Sequence, residues 1–169
     1  MSRRKSLPAE PVTAQIESLS HEGRGITHVG GKITFIDGAL PGEQVLFQYQ
    51  RRHSRYNEGK VVEILEPSPE RVDARCEYFD HCGGCSLQHT TPQSQLKHKQ
   101  KVLLEQLQHI GRVSPEQILP PLTGPVWEYR RKARLSVKYV EKKAKYWSVF
   151  GKSPAPILQI SNVVWSCTR

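Results

Sequence analysis

The chain has 169 residues and a formal net charge of +9, and 37% of its residues are hydrophobic; its pI is near 9.6 and its mean hydropathy is −0.56. That length suits one ordinary domain or two small ones, and no apolar run reaches the roughly 20 residues of a membrane-spanning helix, so no membrane partner is expected. The excess of Lys and Arg points to a polyanionic partner, RNA or DNA first.

Residues 1–10 hold Arg3, Arg4, Lys5 and Pro8 without apolar periodicity and read as a solvated basic tail. No secretory leader pattern is seen there, so a reducing cytosol is the expected setting. Residues 11–67 read as short strands broken by glycine turns. Val12, Ala14 and Ile16 alternate with polar residues, and Ile33, Phe35, Val45, Phe47 and Tyr49 continue the alternation. Val61 to Leu65 closes it; Gly23-Arg24-Gly25, Gly30-Gly31 and Pro41-Gly42 supply turns. Five short antiparallel strands suggest a small closed barrel of OB type, a scaffold used for single-stranded nucleic acid. Arg51, Arg52, His53, Arg55, Tyr56 and Lys60 crowd the last hairpin. Cations interleaved with Tyr49 and Tyr56 suit phosphate neutralisation and base stacking, although a solvated hairpin tip has the same composition. Glu66-Pro67-Ser68-Pro69 then reads as an extended boundary, because two prolines fix φ and remove amide donors.

Cys76 to His89 reads C-E-Y-F-D-H-C-G-G-C-S-L-Q-H and gathers three of the four cysteines at C-x5-C-x2-C spacing. Gly83-Gly84 lets the backbone aim Cys82 and Cys85 at one point. A disulfide or scattered buried thiols would be the bland account. In a reducing compartment, clustered cysteines bind metal or react. Structural zinc takes two close pairs of ligands, whereas three close cysteines plus a distant fourth suit iron–sulfur sites. The spacing therefore favours iron–sulfur, with a zinc site completed by His81 and His89 as the other candidate.

Thr91-Pro92 predicts a helix start, with Thr91 as N-cap. Leu96, Leu103, Leu107 and Ile110 form an apolar stripe expected to face the core, and Gly111 is the expected stop. Lys97, Lys99 and Lys101 lie off the stripe and read as solvated. After a proline-punctuated connector, Tyr129 to Val140 predicts a strand. Period two there places Arg130, Lys132, Arg134 and Lys138 on one face, as a phosphate-tracking ribbon or a lysine-protected edge strand.

Two blocks carry a family resemblance. The cysteine run through Gln88-His89, and Trp127-Glu128-Tyr129-Arg130-Arg131-Lys132-Ala133-Arg134-Leu135 after it, resemble the 23S rRNA uracil-5-methyltransferases of the RumA/RlmD type across residues 12–145. Glu77 and Asp80 depart from the family pattern at non-ligand positions. The resemblance implies that the barrel is an RNA-binding TRAM domain and that Cys76, Cys82 and Cys85 hold a [4Fe-4S] cluster in an α+β subdomain, residues 68–145. It further implies 23S rRNA as partner, a cytoplasmic monomer, and S-adenosylmethionine bound by a Rossmann-like catalytic domain of which no motif is found in this chain. The four clustered or distant cysteines are therefore not cast as the nucleophile.

From Tyr146 the family pattern stops. The expected family text can be spelled by the same DNA read one nucleotide earlier, which suggests a frameshift near Lys145 and an unstructured tail over residues 146–169. On that account Cys167 is a bystander; on the rival account it is the fourth cluster ligand. The expectation is a mainly β, one-helix fragment of a methyltransferase, inactive alone, that binds RNA and a cluster. A stand-alone RNA-binding module and a small zinc-binding structural protein are the alternatives.

Overall fold

The computed structural model describes residues 8–80, 84–132, 136–140, 145–149 and 158–159. The chain divides after Arg71 into two compact units.

In the N-terminal unit, β1 (Val12–Gln15), β2 (Ser18–Leu19), β3 (Gly25–Val29), β4 (Lys32–Asp37), β5 (Gln44–Arg52) and β6 (Tyr56–Glu66) form one sheet in the order β1-β5-β6-β4-β3-β2. Gly30 and Gly31 join β3 to β4 with φ of 58° and 75°, the left-handed pair that a two-residue hairpin turn matching strand twist requires. The expected first strand is split in two. Ile16 turns its N–H to Glu43 O and accepts from Gly42 N–H, so the ladder breaks between β1 and β2. The sheet therefore has six strands rather than five. It is also mixed rather than all antiparallel: the β5–β6 hairpin lays β6 between β5 and β4, and β6 runs parallel to β4.

The core comprises Ala14, Ile16, Ile36, Ala39, Val45 and Phe47, with Val12, Val29, Tyr49, Val61 and Ile64 packed against it. On β4 the alternation falls one residue from the expected phase. Thr34 and Ile36 are buried, while Ile33 and Phe35 take the outer face. The run Ile33-Thr34-Phe35-Ile36 is apolar on both faces, and pairing decides between them: Thr34 sits opposite the buried Thr27 of β3.

The proline boundary is tied back to this unit. Glu43, fully buried, accepts from the Leu40 and Ser68 amides and pairs with the Arg71 guanidinium, whose Nη2 also donates to Gly38 O. Burial pushes the Glu43 carboxyl up, but Arg71 and the two amides outweigh it and hold its pKa below the ordinary value.

The second unit contains the cysteine loop, α1 (Pro92–His109), and a sheet of β7 (Ser136–Val140), β8 (Lys145–Val149) and β9 (Leu158–Gln159) in the order β7-β8-β9. Thr91 Oγ1 accepts from Ser94 N–H with Pro92 opening the helix, as the sequence predicts. At the other end the left-handed residue is Arg112, φ 52°, and not Gly111. Gly111 serves close approach instead: an added Cβ would lie 2.9 Å from Leu107 O. The apolar stripe is not core. Leu103 is 57% and Ile110 79% exposed, because the bonds holding α1 gather at its first turns, where Gln95 Nε2 donates to Leu87 O and Thr90 O. Periodicity identifies an apolar face but not what covers it.

Among the described residues, the predicted strand Tyr129–Val140 is regular over β7. Glu128 adopts φ 61° and residues 129–132 are irregular, so no period-two face exists for Arg130 and Lys132. β8 and β9 fall partly or wholly within the segment expected to lack structure; the rest of residues 146–169 lies outside the described residues.

Candidate nucleic-acid interface and cysteine loop

The β5–β6 hairpin brings the basic residues together. Arg51 and Arg52 end β5 opposite Glu58 and Asn57, and Arg55 sits in the tip; all three arginines are exposed. The tip closes by His53 N–H to Tyr56 O, and Lys32 of β4 reaches across to donate to His53 O. The His53 ring stacks on Tyr56 with centroids 4.3 Å apart and planes 20° apart. Tyr49 does not join them. Its ring meets Phe47 edge-on at 4.8 Å on the core side, and burial raises its hydroxyl pKa despite a hydrogen bond with Thr34. Lys60 is half-buried and pairs in register with Asp37.

The carboxylates nearby are gathered by one cation. Arg24 lies 2.9 Å from Glu22, 3.5 Å from Asp37 and 3.2 Å from Glu58. Burial opposes its charge, yet the three carboxylates raise its pKa further. Burial in turn raises the Asp37 pKa, against the pull of Arg24. The three carboxylates are thus drawn to Arg24, whose single charge offsets part of theirs.

In the cysteine loop, Val72 N–H donates to His89 O and Phe79 N–H to Cys76 O, which closes the loop around a Cys76 that is 7% exposed. Gln88 Oε1 accepts from Cys76 N–H at 3.2 Å. That bond fixes the orientation of the amide, and Gln88 Nε2 is then buried without a hydrogen-bond partner. Cys85 is exposed, and both it and Cys76 are free thiols. His89 is buried with its ring 5.2 Å from Phe79, a packing position in the loop wall. Cys82, His81, Cys167 and Arg134 lie outside the described residues; Lys138 falls in β7, and Arg130 and Lys132 are exposed. No group of three metal-binding side chains is assembled among the described residues. Arg75 lies over the Trp127 ring at 4.9 Å, which ties the cysteine loop to the second block.

The sequence reading set Ile33 and Phe35 in one alternation with Val45 and Phe47, named Gln88 only within the family signature, and assigned nothing to Lys32. A two-faced apolar run beside a basic hairpin was the available signal for the first pair; nothing local marked the other two.

A mixed sheet with a basic, aromatic hairpin is the architecture of a small nucleic-acid-binding domain, and residues 5–62 match the TRAM domain. The similarity extends further along the chain. It is 58% identical over 142 residues to the 23S rRNA (uracil(1939)-C(5))-methyltransferase RlmD of Nitrosococcus oceani, covering 83% of this chain and 32% of that protein. The RlmD of Alcanivorax borkumensis is 56% identical over 143 residues, covering 85% of this chain and 32% of that protein. That of Alkalilimnicola ehrlichii is 49% identical over 156 residues, or 92% and 35%. The chain, TRAM domain included, resembles the N-terminal part of these methyltransferases and spans about a third of their length. No helix among the described residues is long and apolar enough to cross a membrane.

Proposed function

We propose that this chain is the RNA-binding and cluster-holding part of a 23S rRNA uracil-5-methyltransferase. The observation that carries the reading is the basic hairpin, with Arg51, Arg52 and Arg55 exposed beside stacked His53 and Tyr56, on a segment that matches the TRAM domain. The sheet's two edges, β1 and β2, are halves of one run that bonds to β5 at one end and β3 at the other, which supports a closed barrel of OB type. Arg51, Arg52, Arg55 and Lys60 neutralise phosphates. Arg130, Lys132, Arg134 and Lys138 of the second unit are further phosphate contacts. The protein acts as a cytoplasmic monomer on 23S rRNA.

RNA affinity of the full chain should fall with rising salt. Joint replacement of Arg51, Arg52 and Arg55 by alanine should flatten the log–log salt slope by about 2, at about 0.7 per phosphate contact on single strands. Failure of the wild-type chain to bind 23S rRNA segments at low salt, or binding indifferent to salt, would sink the reading.

Cys76, Cys82 and Cys85 hold the cluster, with Cys167 the candidate fourth thiolate. The residues present fit: thiolates are soft donors suited to iron–sulfur clusters, Cys76 is buried with its N–H hydrogen-bonded, and Gln88 Nε2 offers an unused donor beside it. When bound, the cluster supplies a rigid scaffold for RNA positioning, since methyl transfer is not a redox reaction. Gln88 and the Val72–His89 bond hold Cys76 in place for it. No catalytic residue is assigned to this chain, and S-adenosylmethionine is bound in the family by a further domain. Protein purified without oxygen should contain iron and acid-labile sulfide, both strongly reduced by Cys76→Ser. Zinc in their place would overturn the cluster assignment and favour a small zinc-binding protein.

A further inference from the structure

The outer face of the N-terminal sheet is more apolar than a solvated face requires. An antiparallel sheet with one face in water ordinarily alternates apolar inward with polar outward. Here β4 sends Thr34 and Ile36 inward and Ile33 and Phe35 outward. In register, Ile33 lies between His28 of β3 and Tyr56 of β6, and Phe35 between Ile26 and Glu58. The Phe35 ring meets Tyr56 edge-on, with centroids 5.4 Å apart and planes at 82°, and His53 stacks on that same Tyr56. Ile33 is 39% exposed, and Phe35, His53 and Tyr56 are half-buried.

Residues from two strands and a hairpin tip, up to 23 positions apart from Ile33 to Tyr56, thus form one preassembled, mainly aromatic surface. Its surroundings define the ligand. Lys32, Arg51, Arg52 and Arg55 lie at its hairpin end, while Glu58, opposite Phe35 and 3.5 Å from His53 Nε2, and Asp37 are both paired with Arg24. A surface of partly exposed rings with cations at one end suits the faces of unpaired bases and the phosphates that join them.

We propose that Ile33, Phe35 and the His53–Tyr56 stack form a base-stacking platform for single-stranded RNA, with the hairpin arginines clamping the backbone alongside. The proposal rests on the RNA-binding reading above and adds where, and by what force, the bases are held. Because every base has a π-face, such a platform selects unpaired over paired RNA and discriminates weakly among sequences.

The test uses the full chain with an unpaired oligoribonucleotide carrying 2-aminopurine, and with the same strand in a duplex. The wild type should quench 2-aminopurine fluorescence on binding and favour the unpaired strand. Tyr56→Leu, which keeps apolar bulk but removes the ring, should weaken binding of the unpaired strand about 10-fold, lose most of the quench and leave the salt slope unchanged. Ile33→Thr, at an exposed β position that tolerates the change, should weaken it a few-fold. The Arg51, Arg52 and Arg55 replacements should do the reverse, flattening the slope while residual binding still quenches. If the wild type binds RNA but the Tyr56 and Ile33 variants stay within twofold of it with the quench intact, the platform is overturned and the RNA-binding reading stands. Equal affinity of the wild type for unpaired and duplex RNA also overturns the platform. No RNA binding by the wild type overturns both.

Discussion

Replacing Arg71 by alanine should destabilise the N-terminal unit by ~3–5 kcal/mol, because it leaves a carboxylate uncompensated in a site with no solvent access. Glu43 is fully buried, and its two oxygens are shared among Arg71 Nε and Nη2 and the Leu40 and Ser68 amides. Removing Arg71 takes away both charge-assisted bonds and strands Gly38 O as well. Glu43→Gln should cost less. The neutral amide has no charge to compensate, and Arg71, with its side chain 20% exposed, retains some access to water. The pH dependence separates this account from a simple packing loss. In the wild type the Glu43 pKa is lowered, so its stabilising contribution is fully present above the ordinary glutamate range and is lost as pH falls through the folded-state value. In Arg71→Ala, burial dominates and the folded-state pKa moves above the unfolded one, so the variant gains on the wild type as pH falls. The gap should be widest near pH 7 and shrink below about pH 4. Native-state hydrogen exchange of the Val45 and Phe47 amides reads the opening of this unit separately from the other. A gap that stays constant from pH 7 to pH 3 would refute the buried-charge account.

The parts of this fold legible in the sequence are those set by local chemistry. The Gly30-Gly31 and Pro41-Gly42 turns, the Thr91 cap and the outline of the strands follow from backbone preferences of single residues. Long-range pairing was not legible. The parallel β4–β6 pair exists because β6 folds back between two strands, and no residue within either strand encodes that neighbour. The phase of β4 failed for a related reason. With apolar side chains on both faces of Ile33-Thr34-Phe35-Ile36, only the pairing of Thr34 with Thr27 decides which pair is inside. That ambiguity fell on the strand of the proposed platform, since a strand with apolar side chains on both faces cannot keep a clean alternation.

The candidate sites divide in the same way. Arg51, Arg52, Arg55 and Tyr56 were visible because a β-hairpin keeps sequence neighbours together in space. Tyr49 lies on the same strand as the arginines but packs on the core side, and the register shifts between Tyr49 and Arg51. Gln88 acts on Cys76 from 12 residues away through its side chain, and no spacing rule marks such a bond in advance. The Arg130–Lys138 ribbon is matched only in part by the described residues. A regular alternation of cations reads as one strand, whereas residues 129–132 are irregular after the left-handed Glu128, strand is found over 136–140, and Arg134 lies outside the described residues.

Gly59 should be the least replaceable glycine of the sheet. A Cβ built there would lie 2.5 Å from Phe47 Cδ2 and 3.0 Å from Gln48 O. Neither neighbour can yield cheaply. Gln48 O belongs to the backbone of the paired strand, and Phe47 is fully buried, with Val12 and Val61 beside it in register and Tyr49 edge-on. Gly59→Ala should therefore cost about 3 kcal/mol, the upper end of ordinary overpacking, and Gly59→Val more. Gly30→Ala provides the contrast. Its site is open, with nothing within 4 Å, but φ is +58°, so only left-handed strain of about 1–2 kcal/mol applies. The two costs have different physical origins, and a second substitution distinguishes them. Phe47→Leu shortens the side chain that the new methyl would strike. Combined with Gly59→Ala, it should recover at least 1 kcal/mol relative to the sum of the single changes, whereas combined with Gly30→Ala it should add without coupling. Additive costs in the Gly59–Phe47 pair, measured by the same amide exchange, would mean that β6 moves away from β5 to make room. The close approach of the two strands would then be a convenience of packing rather than the reason for glycine at this position.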